Sequence, residues 1–332
     1  MKKLGALAGA LGFLCLILDS RTAIQGASEG ISVCLHSVIP AMFPFFVLSS
    51  MMTGSISGCR FLRPVGKLCR IPAGAESLFL TGLLSGYPNG ARCIWQACRN
   101  GSLSRTDVER MMGFCCNAGP AFLFGIGAAL FDRTEVLVCL WMIHILSAVL
   151  TGILLPGSCG RAESIRPGKP VSLTDAVKKS TAAIAVVCGW ILLFRVLGAF
   201  LDRWVLWLFP ETIQICIRGS LELTNGFLAA KNIPEPGIRF VLCAAFLSFG
   251  GLCVAMQTRS VSDSMGLYFP GKLLQTCISI LLAWPVQQFL FHRQPVNLIP
   301  EIAAAAALTA FGTIICLYWR KNRCGNLCTS DV

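Results

Sequence analysis

One apolar run in this chain is interrupted where a membrane helix would have to be continuous. The run extends from Leu78 to Cys98, and the sequence SGYPNG from Ser85 to Gly90 stands in its middle. Glycine weakens a helix, and proline removes a backbone donor and pushes the preceding residue toward an extended conformation. We expect the backbone to break at membrane depth, where unpaired peptide groups are tolerated only if protein covers them or they line a polar cavity. We interpret this break as part of a small-molecule site.

The composition is that of a membrane protein. Hydrophobic residues make up 55% of the 332 residues and charged residues 13%, with a mean hydropathy of +0.70, whereas soluble domains carry roughly 25% charged residues. The net charge of +12 does not indicate nucleic acid, because Lys and Arg stand in short clusters between apolar runs, as topology determinants do. The sequence therefore predicts an all-α polytopic protein in the lipid bilayer, without a nucleic-acid partner.

Apolar runs of about 20 residues predict about eight to ten membrane segments. The first is interpreted as a retained span rather than a signal peptide, and an outer loop from Asp19 to Gly30 is expected to follow it. The predicted spans are Leu4–Leu18, Ile31–Thr53, the broken Leu78–Cys98, Met111–Phe131, Val136–Leu155, Thr181–Leu201, Phe240–Met256, Leu267–Phe291 and Ile299–Trp319. The stretch Trp204–Ala230 stays ambiguous.

The order of spans and breaks predicts two inverted repeats with broken or re-entrant helices. The breaks in Ser85–Gln96 and Ser248–Gln257 are both rich in glycine and both end in Gln, so they are expected to correspond, as in secondary transporters. The predicted parts are an N-terminal span and loop (1–30), a first repeat (31–156), a basic cytoplasmic linker (157–180), a second repeat (181–319) and a polar tail (320–332). Strict inversion places the basic tail outside, against the charge rule, whereas a full crossing by Phe240–Met256 places it inside; the topology of residues 204–332 stays open.

Two arginines favour an anionic substrate. Arg92 lies near the start of the helix that resumes after Pro88, where the helix terminus also attracts anions; alternatively it snorkels to the inner interface. Arg195 lies deep in a predicted span, where a charge is costly and usually functional; alternatively it snorkels outward or pairs with Asp202. Together the two arginines suit a small organic anion.

Two further polar interruptions supply candidate contacts. Glu222, Thr224 and Asn225 form a polar group in an apolar stretch, which is either a water-exposed loop or a buried site for a coupling proton, a sodium ion or an arginine. Asn117, in the sequence NAGP, is either a ligand contact or part of a helix kink. The candidate substrate-binding residues are Ser85, Tyr87, Asn89, Gly90, Arg92, Asn117, Arg195, Glu222, Thr224, Asn225, Gly250, Gly251 and Gln257.

Motifs for catalysis and metal binding are absent from the sequence. It contains no GxSxG, HExxH or GxGxxG, and no Cys/His set with zinc spacing. We therefore expect neither an enzyme nor a metal or cofactor, and we interpret His36 and His144 as packed residues without partners in register.

Four motifs resemble those of a known family, the sporulation integral membrane proteins of the YlbJ type, which carry Gate or nucleoside-recognition domains. The matching sequences are GYPNGAR from Gly86, NAGP from Asn117, ELTNG from Glu222 and SFGGL from Ser248 with Gln257 after it. They are spread in order over most of the chain. Two departures are Arg92, where the family usually has Lys, and Cys253, where it often has Ser.

The resemblance implies a multi-pass protein of a spore former's cell membrane, made in the mother cell and placed around the forespore. It also implies movement of dipicolinic acid, a small aromatic dicarboxylate, toward the spore. The alternatives are a membrane assembly or spore-envelope maturation protein without transport activity, and a nucleoside-type transporter, for which Glu222 is the only acidic anchor.

Overall fold

The computed structural model describes residues 2–52, 60–157 and 171–292, and every regular element within them is helical. The helices are α1 (Lys2–Leu18), α2 (Ser20–Val33), α3 (Ile39–Met52), α4 (Arg63–Leu68), α5 (Glu76–Ser85), α6 (Asn89–Arg99), α7 (Arg105–Met111), α8 (Pro120–Gly125), α9 (Thr134–Leu154), α10 (Leu173–Trp204), α11 (Glu211–Leu221), α12 (Leu223–Ala230), α13 (Pro236–Phe249), α14 (Gly251–Val261) and α15 (Tyr268–Gln287). A π-helical turn, Cys34–Val38, joins α2 to α3. The predicted span Ile299–Trp319 and the polar tail lie outside the described residues.

Five stretches of the described chain are long and apolar enough to cross a bilayer. They are Ser20–Met51, Thr134–Leu154, Leu173–Trp204, Pro236–Val261 and Tyr268–Phe291. The prediction of an all-α polytopic membrane protein is therefore confirmed. The ambiguous stretch after Trp204 resolves into a short 3₁₀ turn, Leu206–Leu208, and the helices α11 and α12.

The stretch from Asp19 to Gly30 is helical, so the predicted outer loop is wrong. The Asp19 carboxylate accepts a hydrogen bond from the backbone N–H of Thr22 at 3.3 Å and caps α2, which continues through the π-helical turn into α3. The buried face of α2 consists of Thr22, Ala23, Gly26 and Gly30. Because that face lacks large apolar residues, hydropathy did not reveal the helix.

The two halves of the described chain repeat the same order of elements. Each half has a long helix, a helical hairpin, an interrupted helix and a second long helix. In the first half these are α2–α3, α5–α6, α7–α8 and α9; in the second they are α10, α11–α12, α13–α14 and α15. By this order the hairpin break at Gly86 corresponds to the one at Glu222, and the NAGP interruption corresponds to the one at Gly250.

Corresponding long helices run antiparallel, as an inverted repeat requires. Along α2 and the π-helical turn, Gly26 faces Ala199, Gly30 faces Leu192, and the Cys34 thiol donates to the Cys188 carbonyl at 3.8 Å, so the partners descend along α10. At the other pair, Arg133 before α9 donates to the Leu290 carbonyl after α15 at 3.5 Å. At the opposite end of this pair, Leu155 and Leu267 both approach Gly113.

Both hairpins close on glycine pairs. A Cβ on Gly90 would lie 2.9 Å from the Gly82 Cα, and one on Gly226 would lie 2.3 Å from the Gly219 Cα. Small residues at both positions let the two short arms approach closely, as in membrane helix pairs generally. The hairpins are therefore the same structural device used once in each half.

The stretch Met111–Phe131 is not a continuous span, contrary to the prediction. Helix α7 ends at Met111, residues 112–119 are non-helical and buried, and α8 begins at Pro120. The Cys115 carbonyl lies where side chains on Gly82 and Gly90 would be, 2.0 and 2.6 Å from their Cβ positions. The non-helical backbone is thus covered by the first hairpin, which is how such backbone survives at membrane depth.

The two ends of the molecule can be assigned by charge. Arg70 and Arg110 both donate to the Leu155 carbonyl after α9, at 3.2 and 3.4 Å, so the basic segment before α5 and the end of α7 lie at one end. Arg133 and Arg239 lie at the opposite end, where Arg239 donates to the Leu130 carbonyl at 3.1 Å. The positive-inside rule makes the first end the inner one.

Candidate functional site

Three interruptions of helices meet in the interior, at a place that we call the crossing. It is formed by the hairpin break at Gly86 and Tyr87, the end of the non-helical segment at Gly119, and the break at Gly250. The Tyr87 hydroxyl donates to the Leu247 carbonyl at 3.1 Å, and a Cβ on Gly250 would lie 3.1 Å from that hydroxyl. Gly86 and Gly250 have φ values of +73° and +79°, which side chains disfavour. The two breaks compared in the sequence therefore touch, although by element order they are not counterparts.

A lysine fills the centre of the crossing. Lys272, near the start of α15, is 0% exposed. Its Nζ donates to the Gln275 Oε1 at 2.8 Å and to the Tyr87 hydroxyl at 3.4 Å, and it lies 5.3 Å from the centre of the Tyr87 ring. No carboxylate of the described residues forms an ion pair with it. A buried ammonium without a counter-ion is costly and, inside a membrane protein, usually functional.

Hydrogen bonds extend from Lys272 to both interrupted helices. The Gln275 Nε2 donates to the Asn117 Oδ1 at 3.0 Å, and the Asn117 Nδ2 donates to the Phe114 carbonyl at 2.8 Å. The next peptide N–H, of Ala118, donates to the His144 Nε2 at 3.1 Å. Since Nε2 accepts, the neutral ring carries its proton on Nδ1, which faces the Ser248 Oγ at 3.4 Å. We call Tyr87, Lys272, Gln275, Asn117, His144 and Ser248 the buried network; all six are buried.

The buried network follows the repeat. Asn117 lies in the non-helical segment of the first half, and Ser248 lies at the end of α13, just before the corresponding break at Gly250. Each bonds to the last long helix of the other half: Asn117 to Gln275 on α15, and Ser248 to His144 on α9. His144 follows Asn117 by 27 residues, and Gln275 follows Ser248 by the same 27. Lys272 has no such counterpart, because the described first half carries Trp141 at the matching place. The hydrogen bonds of the crossing thus follow the pseudo-symmetry of the two halves, whereas Lys272 belongs to the second half alone.

Arg92 and Arg195 line two separate cavities, so the structure does not bring them together. An outer cavity of about 670 Å³ lies between α2, α10, α11 and α12, and Arg195 lines it with Asn225. An inner recess of about 500 Å³ lies along α6, and Arg92 lines it. Arg195 pairs with Glu29 at 3.8 Å and not with Asp202, which pairs with Arg218 at 2.9 Å. Neither cavity is lined by a residue of the buried network.

The comparison with curated proteins points to the same family as the motifs. The chain is 23% identical over 357 residues to the sporulation integral membrane protein YlbJ of Bacillus subtilis, a match that covers 89% of this chain and 86% of that protein. The resemblance to the YlbJ-type family is confirmed. No protein-family profile matches the chain, so the Gate domain stays a prediction, and no solved structure matches it.

Three of the four motifs that resemble the YlbJ family contribute to the crossing. GYPNGAR supplies Gly86 and Tyr87, NAGP supplies Asn117, and SFGGL supplies Ser248 and Gly250. The fourth motif, ELTNG, forms the second hairpin. The residues that carry the resemblance are therefore also the residues at which the helices break and meet.

Several predicted site residues lie beside the crossing with local partners. The Ser85 hydroxyl bonds to the Thr81 carbonyl one turn earlier at 2.6 Å, and the Gln257 amide donates to the Cys253 sulfur at 3.4 Å. Gly90 packs on Gly82, and a Cβ on Gly251 would meet the Gly219 and Leu221 carbonyls at 3.2 Å. Asn89 begins α6 and is half-buried. These positions shape the backbone around the buried network.

Glu222 acts as a helix cap. Its two carboxylate oxygens accept the backbone N–H groups of Thr224 and Asn225 at 2.9 and 2.8 Å, at the start of α12. Glu222 and Thr224 are 2% exposed, so the water-exposed loop that the sequence allowed is not seen. The Asn225 side chain instead faces the outer cavity. Because both oxygens of Glu222 are engaged, its role in the described structure is to accept hydrogen bonds from the free backbone N–H groups at the start of α12.

Sequence reasoning overlooked three members of the buried network. His144 has two partners rather than none, and Lys272 and Gln275 were not identified at all. A signal was present, because Lys272 is the only charged residue in the predicted span Leu267–Phe291 and Gln275 follows it by three residues, on the same helix face.

Proposed function

We propose that the chain is a membrane carrier of a small organic anion, active in sporulation, and that Lys272 receives the anion at the crossing. The observation that carries this proposal is a fully buried ammonium that has no carboxylate partner among the described residues, at the place where three helix interruptions meet. In secondary transporters with inverted repeats, substrates bind near the membrane midplane at broken helices.

Charge balance favours an anion over a neutral or cationic substrate. Lys272 is held by neutral groups, the Gln275 amide and the Tyr87 hydroxyl. A substrate carboxylate beside Nζ would supply the missing counter-charge and a charge-assisted hydrogen bond. A nucleoside is expected to bind this site more weakly. Glu222, the only acidic anchor that the sequence offers for it, already uses both carboxylate oxygens to accept backbone N–H groups at the start of α12.

The arrangement of cavities supports alternating access. The buried network is closed, and the two cavities lie at opposite ends, one beside α12 of the second hairpin and the other beside α6 of the first. A carrier of this kind opens its central site to one end at a time. Movement of one hairpin against the other half would connect Lys272 with the inner recess or with the outer cavity.

The biological setting of the proposal comes from the relative. Its printed name associates it with sporulation and with an integral membrane location. We extend both to this chain, with dipicolinate as the anion and the membrane around the forespore as the place. Dipicolinate is a planar aromatic dicarboxylate, so it supplies the carboxylate that Lys272 lacks.

The proposal is tested by substituting Lys272 in the full-length protein. Purified wild type in liposomes is expected to take up labelled dipicolinate, and Lys272→Gln to lower the initial rate at least tenfold, since a charge-assisted hydrogen bond is worth about 1.5–3 kcal/mol. Lys231→Gln, which changes an exposed lysine at the end of α12, is the matched control and should keep the wild-type rate.

Two results would defeat the proposal. One is wild-type uptake no faster than in protein-free liposomes, which would favour the assembly or envelope-maturation role. The other is unaltered uptake by Lys272→Gln at equal protein amount and equal monodispersity. In a sporulating host, the same variant is expected to be made and localised normally while spore dipicolinate falls.

A further inference from the structure

The inner recess is built almost entirely from one face of α6. Its lining residues are Arg92, Trp95, Gln96, Arg99 and Asn100, with Val261 from the end of α14. The other four residues of α6 and its end follow Arg92 by three, four, seven and eight positions, so all five lie on one side of the helix. A helix face with two guanidinium groups, an indole and two amides in a membrane protein is not explained by packing against lipid tails.

The two arginines of the recess carry uncompensated charge. No side-chain hydrogen bond or ion pair holds Arg92 or Arg99 within the described part of the chain, and no acidic residue lines the recess. Arg92 is half-buried, whereas Arg99, in the last turn of α6, is exposed. The lining of the recess therefore has a net positive charge, which favours the binding of an anion.

The arginines of the outer cavity, in contrast, all form ion pairs. Arg195 pairs with Glu29, Arg203 with Asp19 at 2.8 Å and Arg218 with Asp202 at 2.9 Å. Every arginine that lines this cavity is thus balanced by a carboxylate. The two halves share their element order, yet the inner mouth is cationic and the outer mouth is neutralised.

We propose that the inner recess is a loading site for a planar organic dianion that carries two carboxylates. This inference rests on the proposed function and adds a second binding site to it. Arg92 and Arg99 are seven residues apart, about 10 Å along the helix axis, and two arginine side chains extending toward each other span that distance around one small ligand. Each guanidinium matches a carboxylate in a bidentate manner, and Trp95 between them offers a face on which a flat ring stacks.

A phosphate on an anionic lipid headgroup shares part of this chemistry. The phosphodiester of such a headgroup, however, carries one negative charge and neutralises one guanidinium, whereas the recess presents two with an indole between them. We therefore assign the recess to the soluble dianion. Loading at the inner mouth raises occupancy from that side, while the direction of net movement still follows the gradients.

The test measures binding without transport, in the full-length chain carrying Lys272→Gln, so that the central site does not contribute. Calorimetric titration with pyridine-2,6-dicarboxylate in neutral-lipid nanodiscs is expected to show one saturable site. Arg92→Gln and Arg99→Gln should each weaken it by about tenfold, the loss of one charge-assisted pair, and Trp95→Leu by about threefold. Benzoate, which has one carboxylate, should bind at least about tenfold more weakly than the dianion.

Arg105→Gln is the matched control, because Arg105 is exposed at the same end, pairs with Glu109 and does not line the recess. An equal loss in this variant would reduce the recess to a general positive surface and overturn the assignment. Absence of saturable binding would overturn it as well. Full displacement of the dianion by phosphatidylglycerol in the nanodisc would assign the recess to lipid instead. If binding follows the expectation but wild-type liposomes show no uptake, the proposed carrier function fails while the recess stands.

Discussion

The closest backbone contact in the second hairpin predicts that adding a single methyl group there destabilises the protein. Helices α11 and α12 touch at Gly219 and Gly226, where a Cβ on Gly226 would lie 2.3 Å from the Gly219 Cα and 3.2 Å from the Phe246 ring. Ordinary contact begins at 3.4 Å. Gly226→Ala must therefore separate the two arms by about 1 Å or distort one of them.

The cost follows from what has to move. Overpacking costs about 1–3 kcal/mol, and the upper part of this range applies because the neighbour is backbone and cannot rotate away. The higher helix propensity of alanine offsets up to about 1 kcal/mol of this loss of stability. A net loss of about 2 kcal/mol would lower the apparent melting temperature by about 3 °C for a chain of this size, because the entropy of unfolding grows with chain length.

The assay is thermal unfolding of the purified protein in detergent, followed by the loss of the monodisperse species. Gly189→Ala is the matched control, because Gly189 is an exposed position of α10 with nothing within 4 Å of its Cβ position. Its apparent melting temperature should stay constant or rise by up to about 2 °C. If Gly226→Ala and Gly189→Ala behaved alike, the hairpin arms would not be in contact, and the repeat based on glycine pairs would be refuted.

Two further predictions concern coupling. Glu222→Gln removes one of the two carboxylate oxygens that accept hydrogen bonds at the start of α12. We therefore expect the free energy of unfolding to fall by about 1–2 kcal/mol, while dipicolinate uptake per folded protein is retained. Abolished uptake at normal stability would instead support the coupling-ion role that the sequence allowed. Replacing sodium by N-methylglucamine should change liposome uptake less than twofold, because the Lys272 ammonium already supplies the cation at the crossing; strict sodium dependence would contradict this reasoning.

The positions of the helix breaks were predictable because their causes are local. Gly86 and Pro88 interrupt the first hairpin, and Gly250 has a positive φ at the second interrupted helix. These residue types act on the backbone of their own segment, whatever surrounds it. The same reasoning located Asn117 before Pro120, although it did not foresee that residues 112–119 leave the helical conformation altogether.

The correspondence between breaks was not predictable from composition. Ser248–Gln257 resembles Ser85–Gln96 in its glycines and final glutamine, yet Gly250 matches Gly119 in element order. Similar glycine content reflects a shared need for close backbone approach, which both hairpins and interrupted helices have. Element order distinguishes the two, and that order depended on recognising α2, whose glycine face gave no hydropathy signal.

The charges were predicted in number but not in role, since a role depends on partners that are distant in sequence. Arg195 is balanced by Glu29, which precedes it by more than 160 residues and lies in the stretch for which the sequence predicts an outer loop. Within the described part of the chain, Lys272 has only neutral partners, one of them Tyr87, 185 residues away. The anionic substrate therefore stays a prediction, and Lys272, the residue that we propose to bind it, became apparent only from the packing.

The distribution of compensated and uncompensated charge gives the proposed pathway its order. Among the described residues, an anion approaching from the inner end meets Arg92 and Arg99 without competing carboxylates and then Lys272 without a counter-ion. It meets Arg195 last, and Arg195 is already paired with Glu29. At each of the first two places the anion supplies a missing charge, so it is bound; at the third it must displace a carboxylate, so it is released more readily. On this argument Glu29→Gln, which frees Arg195, should slow release at the outer end, and trapping of labelled dipicolinate in wild-type and variant liposomes loaded from the inner side would measure the delay.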